Sequence, residues 1–350
     1  MGSLVGPGSG GVVTGIAVVG NAILDHYKVV DAYPAPSALT TVRDLTSAPG
    51  GLMYNCAVAL ARLDPELRIP VVGRIGEDSA GDELLAALGR WPGIDTRQVH
   101  RGGQTSFTDV MEDSSTKTRT FFQFRGANAE LDVADVDFDL LDADLLHAGY
   151  LLLLDRLDEA DAEFGTRMAR LLAMARARGL RTSIDVVSEH SDRFATIVPP
   201  ALRYTDYCIM NELEASRTTG VPVGEDGSVT ESGLRRAAEA LLGFGVSTWA
   251  VIHWPGGAAG LSRTGEWVVK PAVALDPARI VTTTGAGDAF AAGVIHSAWS
   301  SESLEVALET GIGAAACSLL AGNSTDGIRP HAQARRFYLE SPHGRSWSVG

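Results

Sequence analysis

The stretch Thr283-Thr284-Gly285-Ala286-Gly287-Asp288-Ala289-Phe290 carries the most chemical information in this chain. It follows a β-prone segment, residues 279–282, and opens a run to Trp299 that predicts a helix. Small residues before a helix leave backbone N–H groups bare, and the helix dipole adds partial positive charge there. The turn therefore suits a phosphate or a developing oxyanion.

Asp288 admits two interpretations from its position alone. It is a helix cap, or it is a base beside an anion hole, placed to take a proton from a hydroxyl that attacks a phosphoryl group. A Gly-Ala-Gly turn before a helix is a simple tight turn at least as often as a catalytic one. The stretch also has the spacing of a dinucleotide fingerprint, but Phe290 stands where a third Gly is required, and we reject that interpretation.

Composition is that of an ordinary globular protein and argues against several functions. The 350 residues, 45% of them hydrophobic, suffice for one large α/β domain with an appendage or for two domains. A net charge of −14 argues against non-specific binding to nucleic acid or to an anionic membrane. No run approaches the ~18 consecutive apolar residues of a membrane span. We expect residues 1–11, rich in Gly and Ser, to be a disordered tail or a remnant of cloning.

The cysteines indicate a reducing compartment. Cys56, Cys208 and Cys317 lie far apart in the sequence and have no paired spacing. This pattern favours free, buried thiols in a cytoplasmic protein over a disulfide framework or a zinc site.

Regular alternation of strand and helix patterns predicts an α/β fold, with a parallel sheet covered by helices on both faces. A helical apolar stripe runs through residues 158–178. Strand-like runs occupy residues 12–20, 145–154, 182–187, 204–210 and 248–253.

Polar residues near the start of the chain are candidates for substrate binding. Asp25 lies just past the end of the first predicted strand, where ligands bind in open α/β sheets, although a solvated loop aspartate is slightly favoured on position alone. Gly50 and Gly51 precede a short helix and let the backbone approach a polyol, while Asn55 offers a donor and an acceptor to hydroxyls.

Asn211 and Glu214 begin a helix directly after a predicted strand. Their spacing favours a capping box, in which each side chain bonds the backbone of the other. Glu214 also supplies hard oxygen, which suits Mg²⁺ held largely through water and phosphates. Both roles are compatible with one site.

Two pairs of β-prone runs predict a small second sheet. Residues 27–45 contain two short strands around a turn, and residues 105–111 and 117–124 flank a polar turn as a hairpin. The mixture of charged and aromatic residues at 119–125 would suit nucleic acid. The acidic net charge favours a half-exposed strand instead.

Together these motifs resemble the ribokinase-like (PfkB) sugar and nucleoside kinases. The resemblance rests on the stretch 283–290, on Gly50-Gly51-x-x-x-Asn55-x-Ala57 and on the Asn-x-x-Glu of Asn211 and Glu214, and it extends over about residues 12–330. It implies a three-layer α/β/α fold with a mainly parallel central sheet and a small β-sheet lid. The kinase domain would span residues 12–332, with lid strands at about 24–46 and 104–125 and a C-terminal tail at 333–350.

The resemblance also implies a function, the transfer of a phosphoryl group from ATP to a hydroxyl of a small sugar or polyol. The implied catalytic groups are the base Asp288 and an anion hole formed by Gly285, Ala286 and Gly287. The implied sugar-binding residues are Asp25, Gly50, Gly51 and Asn55. The implied nucleotide- and phosphate-binding residues are Asn211, Glu214, Thr284, Gly260 and Asn323. Glu214 would also hold Mg²⁺, through water.

Four features depart from the family pattern and bear on selectivity. Thr282 stands where most members carry an Asp that helps hold a monovalent cation, so the resemblance gives no support for potassium activation. Leu52 replaces the Lys of ribose-type members, which disfavours ribose. Residues 185–188 lack the Asn and Arg of several hexose and keto-acid kinases. His253-Trp254-Pro255 replaces the usual Thr-Leu-Gly, and its rings either stack on a base or pack together at the strand end.

Two other functions stay open. A nucleoside kinase of the same family would place an aromatic platform for a base in the polyol pocket. A non-catalytic sugar-binding or assembly protein on the kinase fold would be favoured by loss of Asp288 or of the turn before it, and both are present. The expected partners are ATP and a small sugar or polyol, with neither nucleic acid nor membrane, and a homodimer through the exposed edge of the lid.

Overall fold

Strand β1 (Ile16–Gly20) shows why the chain builds a sheet that is buried on both faces. Ile16 and Val18 pack into one apolar core, whereas Ala17 and Val19 pack into a second core on the opposite face. A parallel strand of this kind needs cover on both sides, which the crossover helices supply. The computed structural model, which describes residues 15–116, 118–189, 191–224 and 228–344, has this arrangement.

Nine of the described strands form the central sheet. In chain order, the strands are β1, β2 (Ile23–Val30), β3 (Val42–Gly50), β4 (Ile69–Ile75), β5 (Ile94–Arg101), β6 (Phe107–Asp113), β7 (Arg119–Phe124), β8 (Leu145–Leu151), β9 (Ala160–Asp161), β10 (Gly165–Thr166), β11 (Arg181–Val186), β12 (Tyr207–Asn211), β13 (Trp249–Trp254), β14 (Gly257–Ser262) and β15 (Trp267–Pro271). The order in the central sheet is β15-β14-β13-β12-β11-β8-β1-β4-β5. The strands from β13 to β5 are parallel, and β14 and β15 are antiparallel.

Helices cover both faces of this sheet. The described helices are α1 (Leu52–Leu63), α2 (Ser79–Leu88), α3 (Asp155–Asp158), α4 (Arg167–Ala177), α5 (Phe194–Leu202), α6 (Glu212–Thr219), α7 (Glu231–Phe244), α8 (Ala286–Trp299), α9 (Leu304–Ser318) and α10 (His331–Glu340). Buried side chains of α1, α2, α8, α9 and α10 share one core, and those of α3 to α7 share the other. None of the described helices has the length and apolar character needed to cross a membrane. The predicted three-layer architecture is confirmed.

A four-stranded sheet, called the lid sheet below, lies beside the central sheet and has the order β3-β2-β6-β7. β2 pairs antiparallel with β3 and parallel with β6, and β6 and β7 form the predicted hairpin. Because side chains alternate along a strand, Asp25 and its partner Thr108 lie on one face of the lid sheet. His26, Asp109 and Phe122 lie on the other face.

Three local expectations were wrong. Residues 158–178 do not form one helix, because a β9–β10 hairpin intervenes, Gly165 takes a φ of 92°, and Thr166 caps α4 by accepting the Ala169 N–H at 3.2 Å. Residues 279–282 form no strand, since a 3₁₀ turn at Pro277–Arg279 precedes an irregular segment. The sequence pattern of residues 77–88 predicts a helix from Glu83 to Leu88 with residues 77–82 as its cap, but α2 begins at Ser79, because Asp78 accepts the Gly81 N–H at 2.9 Å.

The sequence predicted a tail at each end of the chain, and the structure tests only the C-terminal one. Residues 1–11, expected to be a tail, lie outside the described residues. Residues 333–340, expected to belong to a C-terminal tail, lie in α10, whose Ala334 and Tyr338 are buried in the core that contains α9. The predicted domain limit at residue 332 stays a prediction.

Candidate active site

Polar side chains gather where the parallel strands of the central sheet end. The strands β13, β12, β11, β8 and β1 are neighbours in that order, so their carboxyl ends share one edge of the sheet. The polar residues at or just beyond these ends are His253, Asn211, Asp185, Tyr150 and Asp25. The N-terminus of α8 meets the same edge, because Tyr150 hydrogen-bonds to Asp288 in its first turn.

Asp288 is the centre of this group and is only 4% exposed. Asn55 Nδ2 donates to Asp288 Oδ2 at 2.9 Å, and the Tyr150 hydroxyl donates to Asp288 Oδ1. Burial raises the pKa of Asp288 to about 6, and these two hydrogen bonds oppose that rise. The carboxylate is therefore mostly ionised at neutral pH, with a pKa close enough to neutrality for general base catalysis.

The turn before Asp288 has the geometry of an anion hole. Gly285 is the N-cap of α8 in the left-handed conformation, with φ 79°, and it provides no side chain to cap the first turn. A Cβ at Gly285 would overlap Ser324, whereas a Cβ at Gly287 would meet only His253 Cε1, at 3.8 Å. The Ala286 N–H makes a long hydrogen bond to Thr283 O, at 3.4 Å, and no side chain caps the N–H groups of Gly287 and Asp288, which suits a negatively charged group.

Asn55 connects Asp288 to a loop near the end of the chain. Its Oδ1 accepts the Ser324 hydroxyl at 2.7 Å, while its Nδ2 donates to Asp288. Asn55 is 5% exposed. One hydrogen of Nδ2 is committed to the base, which leaves the second hydrogen for a substrate hydroxyl.

Asp25 lies on the lid sheet, near enough to Asp288 for their charges to interact. Burial raises the pKa of Asp25 to about 7, the Thr108 hydrogen bond opposes this rise, and the charge of Asp288 adds to it. A Cβ at Gly50 would collide with Asp25 Oδ2, and Gly51 has φ 84° with Asn21 O close to any added Cβ. The two predicted glycines are thus required beside Asp25 and at the start of α1.

Asn211 and Glu214 form the capping box predicted for the start of α6. Asn211 Oδ1 accepts the Glu214 N–H at 2.9 Å, and Glu214 Oε2 accepts the Asn211 N–H at 2.9 Å. Glu214 Oε1 accepts from Ser188 Oγ at 2.8 Å and from Asn211 Nδ2 at 2.7 Å. Burial raises the pKa of Glu214 to about 7.

Asp185 extends the acidic group between Glu214 and Asp288. Burial is the main cause that raises its pKa well above the usual range, and the charges of Glu214 and Asp288 add to the rise. Asp185 Oδ1 accepts the Val186 N–H at 2.8 Å. The described residues contain no cluster of three or more His, Cys, Asp or Glu side chains arranged to hold a metal.

Three predicted nucleotide-binding residues have other contacts in the structure. The Asn323 side chain bonds within its own turn, accepting the N–H groups of Thr325 and Asp326. Gly260 lies within β14, where a Cβ would meet Leu304 Cδ1 at 2.7 Å. The Thr284 side chain contacts Tyr27 of the lid sheet. Their roles toward a nucleotide stay predictions.

His253 is packed at the end of its strand, as one of the two interpretations expected, but it does not pack against Trp254. Three other residues of the site were not predicted. His253 packs on Phe290, with ring centroids 4.9 Å apart, and burial lowers its pKa to about 4. Trp254 points into the core on the opposite face of the sheet. The residues that reach the site without having been predicted are Tyr150, Asp185 and Ser324. Asp185 begins the segment 185–188 that departs from the family pattern, whereas no motif of the sequence marks Tyr150 or Ser324 as part of the catalytic group.

A family model described as pfkB family carbohydrate kinase matches residues 13–331, so this chain belongs to that family. The predicted family, fold and enzyme class, an ATP-dependent carbohydrate kinase, are thereby confirmed.

Three known proteins that are similar to this chain are named as kinases. A 5-dehydro-2-deoxygluconokinase of Geobacillus kaustophilus is 25% identical over 316 residues, which cover 85% of this chain and 87% of that protein. A deoxyribokinase of Salmonella typhi is 26% identical over 328 residues, which cover 93% and 98%. The solved structure of Arabidopsis thaliana ribokinase with ribose and ATP shares the fold, with a TM-score of 0.77, 21% identity, and coverage of 94% of this chain and 100% of that one.

Proposed function

We propose that this chain transfers the γ-phosphoryl group of ATP to a hydroxyl of a small sugar or sugar-like polyol. One observation carries the proposal: the buried carboxylate of Asp288, held by Asn55 and Tyr150, lies at an uncapped helix N-terminus. A base beside an anion hole is the arrangement that phosphoryl transfer to an alcohol requires.

Asp288 accepts the proton of the acceptor hydroxyl as its oxygen attacks the γ-phosphorus. A new P–O bond forms to the sugar, the bond from the γ-phosphorus to the bridging oxygen breaks, and ADP leaves with that oxygen. The N–H groups at the start of α8 stabilise charge on the transferring group. Asp288 ends the step protonated, and its pKa of about 6 lets it return that proton to solvent near neutral pH.

The sugar pocket lies between the lid sheet and the start of α1. Asp25 and the free hydrogen of Asn55 Nδ2 hold sugar hydroxyls, and the absence of a side chain at Gly50 leaves room for the Asp25 carboxylate. The lid sheet excludes water that would otherwise hydrolyse ATP. The similarity to a deoxyribokinase and a 5-dehydro-2-deoxygluconokinase makes deoxy sugars and keto sugar acids the first acceptors to test.

Asn211 and Glu214 are the residues that fit Mg²⁺. Both oxygens of Glu214 already accept hydrogen bonds, two at Oε1 and one at Oε2, so a contact through water at Oε2 fits better than direct ligation. A positive ion there would also favour ionised Glu214 and Asp185, whose burial otherwise disfavours their charged forms. When bound, Mg²⁺ neutralises the charge of the triphosphate.

The test is ADP release from ATP with a panel of acceptors: deoxy sugars, pentoses, hexoses, keto sugar acids and nucleosides. Turnover with one sugar class supports the proposal and names its acceptor. Turnover confined to nucleosides would contradict the proposal and show that the enzyme is a nucleoside kinase. ATP binding without turnover on any acceptor favours the non-catalytic alternative.

We further propose a homodimer through the exposed edge of the lid sheet, strand β7, with the face opposite Asp25 turned to the second copy. Phe122 on this face is 55% exposed, and Leu45 is 63% exposed. The edge strand β7 is exposed along its whole length, so it offers unpaired backbone groups to a second copy. Light scattering should show a dimer that Phe122→Asp converts to a monomer. Phe121→Asp, on the same strand but the opposite face, should leave the dimer intact; a wild-type monomer at micromolar concentration contradicts the proposal.

A further inference from the structure

We propose that Tyr150 is a positioning residue for this kinase, which holds the Asp288 carboxylate ionised and aimed at the acceptor hydroxyl. The inference rests on the proposed role of Asp288 as the base. The role of Tyr150 is an addition to that of the base. Tyr150 lies in β8, a strand whose sequence pattern indicates no function, and it is 138 positions from Asp288 in the sequence.

The hydrogen bonds at Asp288 fix both of its oxygens. The Tyr150 hydroxyl donates to Oδ1, and Asn55 Nδ2, which is only a donor, donates to Oδ2 at 2.9 Å. A carboxylate that faces a donor on each oxygen is stabilised in its charged form and cannot rotate without losing both bonds. Each oxygen keeps a second lone pair, and one of them receives the substrate's proton.

Asp288 needs such donors because most of its surroundings favour its neutral form. Ionisable groups face it from the lid sheet, from α1 and from neighbouring strands: Asp25, Cys56, Tyr150 and Asp185, with His253 beside Gly287 in the same helical turn. Burial and the carboxylates among these groups raise the pKa of acids at this edge, and the hydrogen bonds from Tyr150 and Asn55 lower that of Asp288. Tyr150 is the one titratable donor in this set that bonds directly to Asp288 among the described residues.

Removing the donor has a consequence with a defined sign. Without the Tyr150 hydroxyl the pKa of Asp288 moves above its value of about 6, so activity is lost first at low pH. A rise of about one unit lowers the ionised fraction of Asp288 about ninefold at pH 5, about twofold at pH 7 and almost not at all at pH 8. A residue that only packed against the site would lower activity equally at every pH.

The experiment compares pH profiles of kcat/KM for the acceptor in the wild type, Tyr150→Phe and Tyr207→Phe. Tyr207 is a matched control, since it is a buried tyrosine on β12, two strands away from β8 in the central sheet, and it packs on Trp249 with ring centroids 5.1 Å apart. We expect the acid limb of Tyr150→Phe to shift upward by about one pH unit, while the limb of Tyr207→Phe stays in place. Thermal unfolding checks the fold, and Tyr150→Met, which also lacks a donor, takes the place of Phe if that variant does not fold.

Two results overturn the inference. One is an unshifted acid limb in the Tyr150 variant, and the other is a loss of activity that is the same at every pH. Asp288→Asn, run in parallel, separates this failure from failure of the proposed function. If Asp288→Asn is active, Asp288 is not the base. If Asp288→Asn is inactive and the acid limb of Tyr150→Phe is unshifted, only the proposed role of Tyr150 is wrong.

Discussion

Replacing Gly285 by alanine tests how closely the anion-hole turn is held against the rest of the site. Gly285 has φ 79°, and an added Cβ would overlap the side chain of Ser324, with Ser324 Cα at 3.0 Å. Ser324 in turn donates to Asn55, which donates to Asp288. The added methyl group should therefore displace both the turn that contains Gly285 and the side chains of Ser324 and Asn55, which hold Asp288 in place.

The size of the effect follows from two separate costs. A non-glycine residue in the left-handed region costs about 1–2 kcal/mol, and forcing a methyl group into a packed site adds about 1–3 kcal/mol. Gly220→Ala is the matched control, because Gly220 has φ 70° but no atom within 4 Å of an added Cβ. It should show only the first cost.

Urea unfolding measures the stability of both variants, and steady-state kinetics measures their activity. We expect Gly285→Ala to lose more stability than Gly220→Ala and to lose about 100-fold in kcat, because a displacement of about 1 Å at a reacting group has that effect. Gly220→Ala should keep its kcat. Equal losses of stability in the two variants, or an unchanged kcat in Gly285→Ala, would refute the close packing of Gly285 and Ser324 as the support of the site.

Two further substitutions test the acidic groups. Glu214→Gln should raise the Mg²⁺ concentration needed for half-maximal activity about tenfold or more, with Glu212→Gln, two residues earlier in α6, as the control; equal Mg²⁺ curves would contradict the assignment. Asp25 has its pKa raised from 3.8 to about 7, so it favours the folded state below pH 3.8 and loses that contribution as pH rises to about 7. Asp25→Asn should therefore gain stability at pH 8, by at most about 4 kcal/mol, and gain nothing at pH 3.5. A gain that is equal at both pH values would show that Asp25 does not titrate between them.

The sequence predicted the layers of the fold because its strands are apolar on both faces and alternate with helices. It failed where local backbone geometry decided the outcome. The apolar stripe of residues 158–178 continues through Gly165 and Thr166, but a positive φ and a side-chain cap there start α4 at Arg167. Such breaks depend on single residues, which a periodicity averaged over several turns does not resolve.

The site was predictable where its residues lie close together in the sequence. The turn at 285–288 and the Asn211–Glu214 capping box are short motifs, and the structure forms both. Tyr150 could not be predicted, because an aromatic residue in an apolar strand is expected to be core, and its partner is fixed only by how β8 and α8 meet. Ser324 was likewise missed beside the predicted Asn323, because the conformation of that loop decides which side chain reaches Asn55.

Asp288 is proposed to be the base of a sugar kinase. Acceptor-dependent ADP release should be measured with the best acceptor for the wild type, for Asp288→Asn and for Asp142→Asn. The Asp142→Asn variant is the control, because Asp142 is an exposed carboxylate that pairs with Arg68 outside the site.

We expect Asp288→Asn to lose about 10²–10⁴-fold in kcat while ATP still binds and Asp142→Asn remains fully active. Turnover by Asp288→Asn at the wild-type rate would contradict the account.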